Sequence, residues 1–138
     1  MSEQISDAWH SDELHRATNG LLFTSEGDLP FQEVSIAGGA SSWPLTPDRF
    51  AVLIGEPGAP VVEWSLDRLF ARHIELVHPS DVVLQGVRPR FLALRDLLHA
   101  SLQDLRVFRI GEVNVRYYIV GADAARNLTG IIAQALET

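Results

Sequence analysis

The stretch LRVFRIGEVNVRYYIVG, Leu105 to Gly121, alternates apolar and polar residues on either side of Gly111-Glu112. A period of two marks a strand, and a pair with Gly first between two such runs suits a type II′ hairpin turn. Strands are therefore expected at Leu105 to Ile110 and Val113 to Gly121. A two-residue turn pairs Ile110 with Val113, Phe108 with Val115, and Leu105 with Tyr118. One face then carries Phe108, Ile110, Val113, Val115, Tyr117 and Ile119, with Arg106 as the exception. The other carries Leu105, Val107, Tyr118 and Val120, with Arg109, Asn114 and Arg116 near the turn. Two apolar faces at the base of a hairpin call for cover on both sides. The expected fold is α/β: a single-domain three-layer α-β-α sandwich, residues 1–138, around a small, largely antiparallel sheet.

The segments around the hairpin supply the cover. Pro89 opens a helix expected to run to about Gln103. Phe91, Leu94, Leu98 and Leu102 fall at three- and four-residue steps, while Arg90, Arg95 and Gln103 face away. The preceding segment, Ile74 to Gly86, has weak periodicity and contains Pro79, so a loop is expected. Thr46-Pro47-Asp48 is a helix start, with a capping hydroxyl, Pro in the first turn and an acid behind it. Its apolar face is Phe50, Leu53 and Ile54, and Gly55 ends it. Val61 to Trp64 reads as a strand, and Ser65 caps a helix from Leu66 to about His73. Earlier, a helix from about Ser6 to Asn19 stops at Gly20, and a strand runs from Phe31 to Ile36. Leu128 to Thr138 mixes signals: Ala133, Gln134 and Ala135 favour helix, while Gly130, Ile131 and Ile132 suit a strand. A strand is expected.

Composition narrows the function classes. The 138 residues are 46% hydrophobic and 21% charged, with no cysteine, which excludes a disulfide framework and thiolate metal sites. Net charge is -7, and the eleven basic residues are all Arg. Up to Glu33 seven acids face Arg16 alone, whereas six Arg lie between Arg88 and Arg116. That balance argues against a basic nucleic-acid groove; it fits an acidic face for a basic partner, although on charge alone a solvated surface kept for solubility is the commoner reading. The opening MSEQISDAWHSDE is polar and acidic, and no apolar run is long enough to span a bilayer, so a cytoplasmic protein with no membrane partner is expected.

Chemical motifs are sparse. The histidines, His10, His15, His73, His78 and His99, form no metal-ligand spacing. His73 and His78 could share a metal across the loop between them, but surface or core-edge packing is the simpler reading. No phosphate loop, dinucleotide fingerprint or nucleophile elbow occurs. Nothing argues for an enzyme, and no cofactor of the protein's own is expected. The remaining feature is GLLFTSEGDLPF, Gly20 to Phe31. Glu26 and Asp28 sit in a short loop clamped by Leu21, Leu22 and Phe23 at one end and Phe31 at the other. Two carboxylates are too few for calcium. A plain turn is one reading; a tethered carboxylate that completes a metal site held by another protein is the other.

That loop, with LTPDRFAVLIGEPGAPVVEWSLDRLF and RVFRIGEVNVRYYIVGADAARNLTGIIAQALET, resembles the nuclease A inhibitor-like family from about Ala17 to Thr138. The resemblance implies an α-β-α sandwich and a protein inhibitor of a sugar-non-specific, magnesium-dependent endonuclease. By that likeness Glu26, preceded by Ser25, reaches the Mg²⁺ of the partner nuclease. Thr138, preceded by Glu137, lies near the same metal. The partner is then a protein, with no direct nucleic-acid contact. Glu75 to Pro89, ELVHPSDVVLQGVRP, departs from the family by being more apolar and lacking Trp. A module of the same fold serving an unrelated partner is the alternative.

Overall fold

The computed structural model describes residues 12–137 apart from Glu26 and Trp43. The N-terminal part of the expected first helix, Glu26, Trp43 and Thr138 lie outside the described residues. The described chain combines helices with an antiparallel sheet. The helices are α1 (12–18), α2 (Pro47–Leu53), α3 (Leu66–Phe70) and α4 (Val82–Ser101). Two short strands, β1 (Leu22–Thr24) and β2 (Asp28–Pro30), form a hairpin of their own. The main sheet contains β3 (Gln32–Ile36), β4 (Val61–Trp64), β5 (Gln103–Ile110), β6 (Asn114–Ala122) and β7 (Leu128–Leu136). Its order is β3-β7-β6-β5-β4, every neighbour antiparallel, so it is larger than the small sheet expected.

The predicted capping chemistry holds at two helices. The Thr46 hydroxyl accepts from the Arg49 amide and the Ser65 hydroxyl from the Arg68 amide. The final segment is a strand, β7, and it lies between β3 and β6.

Three expectations need correction. Pro89 does not open the long helix. Asp81 caps α4, its carboxylate accepting from the Leu84 amide, and Pro89 sits inside the helix. Part of the segment expected as a loop is therefore helical; Val82 and Val83 hid it because both are exposed, and no apolar stripe runs through them. The β5–β6 turn is also longer than two residues. Ile110 pairs with Arg116, not Val113, a shift of three positions that Phe108↔Tyr118 and Arg106↔Val120 maintain. An odd shift exchanges the faces of one strand relative to the other. Phe108 and Ile110 consequently lie with Tyr118 and Val120, while Val107 lies with Val115, Tyr117 and Ile119. Val113 lies in the connection before β6, where its carbonyl accepts from the Glu137 amide over 2.9 Å. Gly111 is needed as expected, at φ 103, because a Cβ there would strike the Asn114 carbonyl oxygen. Finally, two short paired strands, not expected from the sequence, flank the acidic turn.

Alternate side chains of β5, β6 and β7 enter two separate hydrophobic clusters. One gathers Leu14 of α1, Leu66, Leu69 and Phe70 of α3, and Phe91, Leu94 and Leu98 of α4 around Val107, Tyr117, Ile119 and Ile131. The other seats Phe50 of α2 with Phe108, Ile110, Tyr118, Val120 and Leu128; the Phe50 and Phe108 rings stack at 4.4 Å. Polar ties fix the helices. Arg90 of α4 donates to the carbonyls of Ala17 and Asn19 at the end of α1. Arg116 of β6 makes two hydrogen bonds, 2.8 and 2.9 Å, to the Glu56 carboxylate beyond α2. The bond to Arg116 holds Glu56 below its usual pKa.

Candidate functional site

The β1–β2 hairpin and the end of β7 are distant in sequence but joined in space. Ser25 turns the chain out of β1. Its amide and hydroxyl both donate to the Gly27 carbonyl, at 3.0 and 3.2 Å. The same hydroxyl accepts from the Leu136 amide at 3.0 Å. Gly27 lies against that residue too, since a Cβ added there would be 3.1 Å from Leu136 Cδ1. The two residues flanking Glu26 are thus held to the last strand by a hydrogen bond and by a close contact.

The strand end is itself anchored. Beyond the Glu137–Val113 backbone bond, the Tyr117 hydroxyl donates to Glu137 Oε2 at 2.7 Å. Arg109 donates through Nε to the Tyr117 oxygen at 3.3 Å, and its Nη2 stands 3.7 Å from Glu137 Oε2. Burial, and then the bond to Glu137, raise the Tyr117 pKa, against the opposing influence of Arg109. Tyr117 therefore remains a donor throughout the neutral range, and the Glu137 carboxylate is turned to this internal network.

A cleft of about 360 Å³ opens beside the junction, lined by Thr24, Ser25, Trp64, Arg72, Tyr117 and Glu137 among others. Trp64 forms one wall, with the Arg68 guanidinium 3.7 Å over its ring and Tyr117 5.0 Å away. Arg72 supplies positive charge and Glu137 negative charge at the rim. Among the described residues, no three His, Asp or Glu side chains gather as a metal-holding group. No described helix is long and apolar enough to cross a membrane.

Of the residues singled out from sequence, Ser25 and Glu137 are brought to one end of β7. Glu26 and Thr138 adjoin them in sequence and lie outside the described residues. His73 and His78 do not converge on a shared site. His78 bonds to Ser80 on the surface, whereas His73 is fully buried and accepts from the Thr24 amide. The sequence reading missed His73, Tyr117 and Arg109 as supports of the loop and strand end. A signal for His73 existed: Leu66, Leu69, Phe70 and His73 recur at the spacing of one helical face.

A family model described as nuclease A inhibitor-like protein matches residues 10–138. No curated protein matches the chain significantly.

Proposed function

Because the chain belongs to the nuclease A inhibitor-like family, we propose that it is a protein inhibitor of a sugar-non-specific, magnesium-dependent nuclease, with no catalysis of its own. The observation that carries this reading is the hydrogen bond from the Leu136 amide to the Ser25 hydroxyl. It sets the residue before Glu26 beside the strand that leads to Thr138. On this reading the Glu26 carboxylate and the Thr138 hydroxyl engage a single metal and its bound water. The tie between Ser25 and Leu136, made before binding, lowers the entropy lost on contact. Ser25 and Glu137 complete the same contact surface, the first as strap and the second as anchor of the strand end.

The remaining chemistry belongs to the partner. Mg²⁺ resides in the nuclease, Glu26 supplies one oxygen to it, and the inhibitor needs no cofactor. The net charge of -7 steers the protein to a basic, nucleic-acid-binding surface, chiefly by raising the association rate. On this reading the chain is one cytoplasmic domain, with the two hydrophobic clusters as the two sides of a three-layer sandwich.

The test is titration of the purified protein into a magnesium-dependent nuclease acting on DNA and on RNA. Stoichiometric inhibition on both substrates is expected. Glu26→Gln should weaken binding by about 2–5 kcal/mol, the usual loss when one partner of a buried charged contact is removed. Thr138→Val should weaken it by less. A nuclease that remains fully active beside excess protein would overturn the proposal.

One observation favours the alternative of an unrelated partner. Leu76, Val82 and Val83 are 73%, 81% and 76% exposed in the segment that departs from the family pattern. Exposed aliphatic side chains there suit a target surface more apolar than a nucleic-acid groove. Polar substitution of all three should leave nuclease inhibition intact if the main reading holds.

A further inference from the structure

The His73 imidazole has no contact with solvent. It stacks on Phe91 at 4.2 Å and lies 4.9 Å from Phe23, closed between α4 and β1. Its Nε2 stands 3.0 Å from the Thr24 amide nitrogen, and an amide can only donate. The neutral ring therefore carries its proton on Nδ1, and Nδ1 is buried without a partner among the described residues. An unpaired buried donor is destabilising, so an apolar ring would fill this slot better. What the histidine adds over such a ring is an acceptor for Thr24, the last residue of β1, immediately before Ser25.

We infer that His73 is the positioning residue of the Ser25–Gly27 connection: its neutral imidazole fixes the end of β1, and protonation of that ring releases it. The inference rests on the inhibitor reading for its consequence in binding, but not for its mechanism. A protonated imidazole donates from both nitrogens, so Nε2–H would face the Thr24 N–H and the bond would be lost. Among the described residues, the charged groups acting on the ring are Arg72, adjacent in the chain, and Asp28 of β2; α4 presents Phe91 and β1 presents Phe23. Arg72 opposes a second positive charge at the ring and Asp28 favours one, while burial holds the ring neutral near pH 7. The loop is thus held firmly at neutral pH and freed in acid.

The experiment is nuclear magnetic resonance on the free full-length protein, paired with nuclease dissociation rates. At neutral pH the ring nitrogens should show hydrogen on Nδ1 and none on Nε2. On acidification, Thr24 amide exchange, corrected for its intrinsic pH dependence, should rise as His73 titrates. His73→Gln offers an amide oxygen near the place of Nε2 and should keep Thr24 protected while abolishing this acid dependence. His73→Phe should speed Thr24 exchange about tenfold, the effect of one lost hydrogen bond, with the Leu94 and Leu98 amides still protected. Dissociation from the nuclease should accelerate for the Phe variant and not for Gln. Should the Phe variant fail to fold, the wild-type acid titration decides alone. Unchanged Thr24 protection in His73→Phe, or exchange that ignores the His73 titration, overturns the inference. Failure of the wild-type protein to inhibit any nuclease would instead remove the inhibitor reading, leaving the exchange results to judge His73.

Discussion

The Leu136 amide donates to the Ser25 hydroxyl over 3.0 Å and so joins residues 111 positions apart. That hydroxyl also donates to the Gly27 carbonyl, so one oxygen closes the loop and fastens it to β7. Ser25→Ala removes both bonds but no packed side-chain volume beyond the oxygen. Stability should fall by about 0.5–1.5 kcal/mol for each net hydrogen bond, less whatever water restores. Inhibition should weaken more than this loss of stability explains, because the freed loop must be ordered on binding. Equal inhibition by Ser25→Ala and wild type would make the strap irrelevant to function.

The stack of Phe50 on Phe108 tests the register of the sheet. Both rings are fully buried, and Tyr118 lies 5.0 Å from Phe50 on the same face. Phe50→Ala should cost about 3–5 kcal/mol by denaturant unfolding. The two-residue turn expected from sequence would place Phe108 with Tyr117 instead. A double-mutant cycle between Phe50 and Tyr118 should therefore show coupling, and one between Phe50 and Tyr117 should show none.

How much could be read before the structure follows from which forces act locally. Caps at Thr46 and Ser65, the periodic face of Phe91, Leu94 and Leu98, and the strand character of β7 are written in neighbouring residues. Register is not, because it is fixed by what pairs on the far side of a strand. Ile110 pairs with Arg116 and leaves Val113 in the turn, where its carbonyl accepts from the Glu137 amide at the end of β7. The site divides in the same way. Ser25 and Glu137 could be picked out only through likeness to a family, since neither carries a motif. His73 and Tyr117 support them through contacts 49 and 20 residues away in sequence, beyond the reach of any local pattern.

Pro89 predicts a gain rather than a loss. It lies within the 20-residue α4, is exposed, and cannot donate to the carbonyl one turn earlier. Pro89→Ala restores that donor and should stabilise the fold by about 1–3 kcal/mol, after allowing for the greater freedom of the unfolded chain. A lower melting temperature for the Ala variant would show that α4 depends on a bend at this point.

Burial, with a smaller contribution from Arg72, depresses the His73 pKa from 6.5 to about 4. The unfolded chain therefore binds a proton between those values that the folded chain refuses. Stability from this residue is complete above pH 6.5 and is lost as pH falls through about 4. At full loss the effect is on the order of 3 kcal/mol, by the usual conversion of a pKa shift. Urea midpoints measured from pH 7 to pH 4 should fall accordingly, and His73→Gln should remove this component of the fall. An identical acid profile in the two proteins would assign the loss to carboxylates instead.

The tie between Tyr117 and Glu137 predicts behaviour at the opposite end of the pH scale. Tyr117 is 3% exposed and donates to the Glu137 carboxylate at 2.7 Å, while the Glu137 amide holds Val113. Burial and the neighbouring carboxylate raise the phenol pKa, so the folded protein keeps this proton where the unfolded chain begins to lose it. The resulting stability is complete below the ordinary tyrosine value of about 10 and disappears as pH rises through the elevated folded value. Tyr117→Phe removes the donor at every pH but keeps the ring against Trp64 and Phe23. Its cost at pH 7 should be about 1 kcal/mol, because the half-exposed Glu137 carboxylate can recover water. The local consequence should exceed the global one: amide exchange at Glu137 should quicken while Ile119 in the middle of β6 stays protected. If the inhibitor reading is correct, the nuclease complex of the Phe variant should dissociate faster through the loosened strand end. Residues appended after Thr138 should give a similar loss in the wild type. Slow Glu137 exchange in Tyr117→Phe would show that the backbone bond to Val113 holds the strand end without help from the side chain.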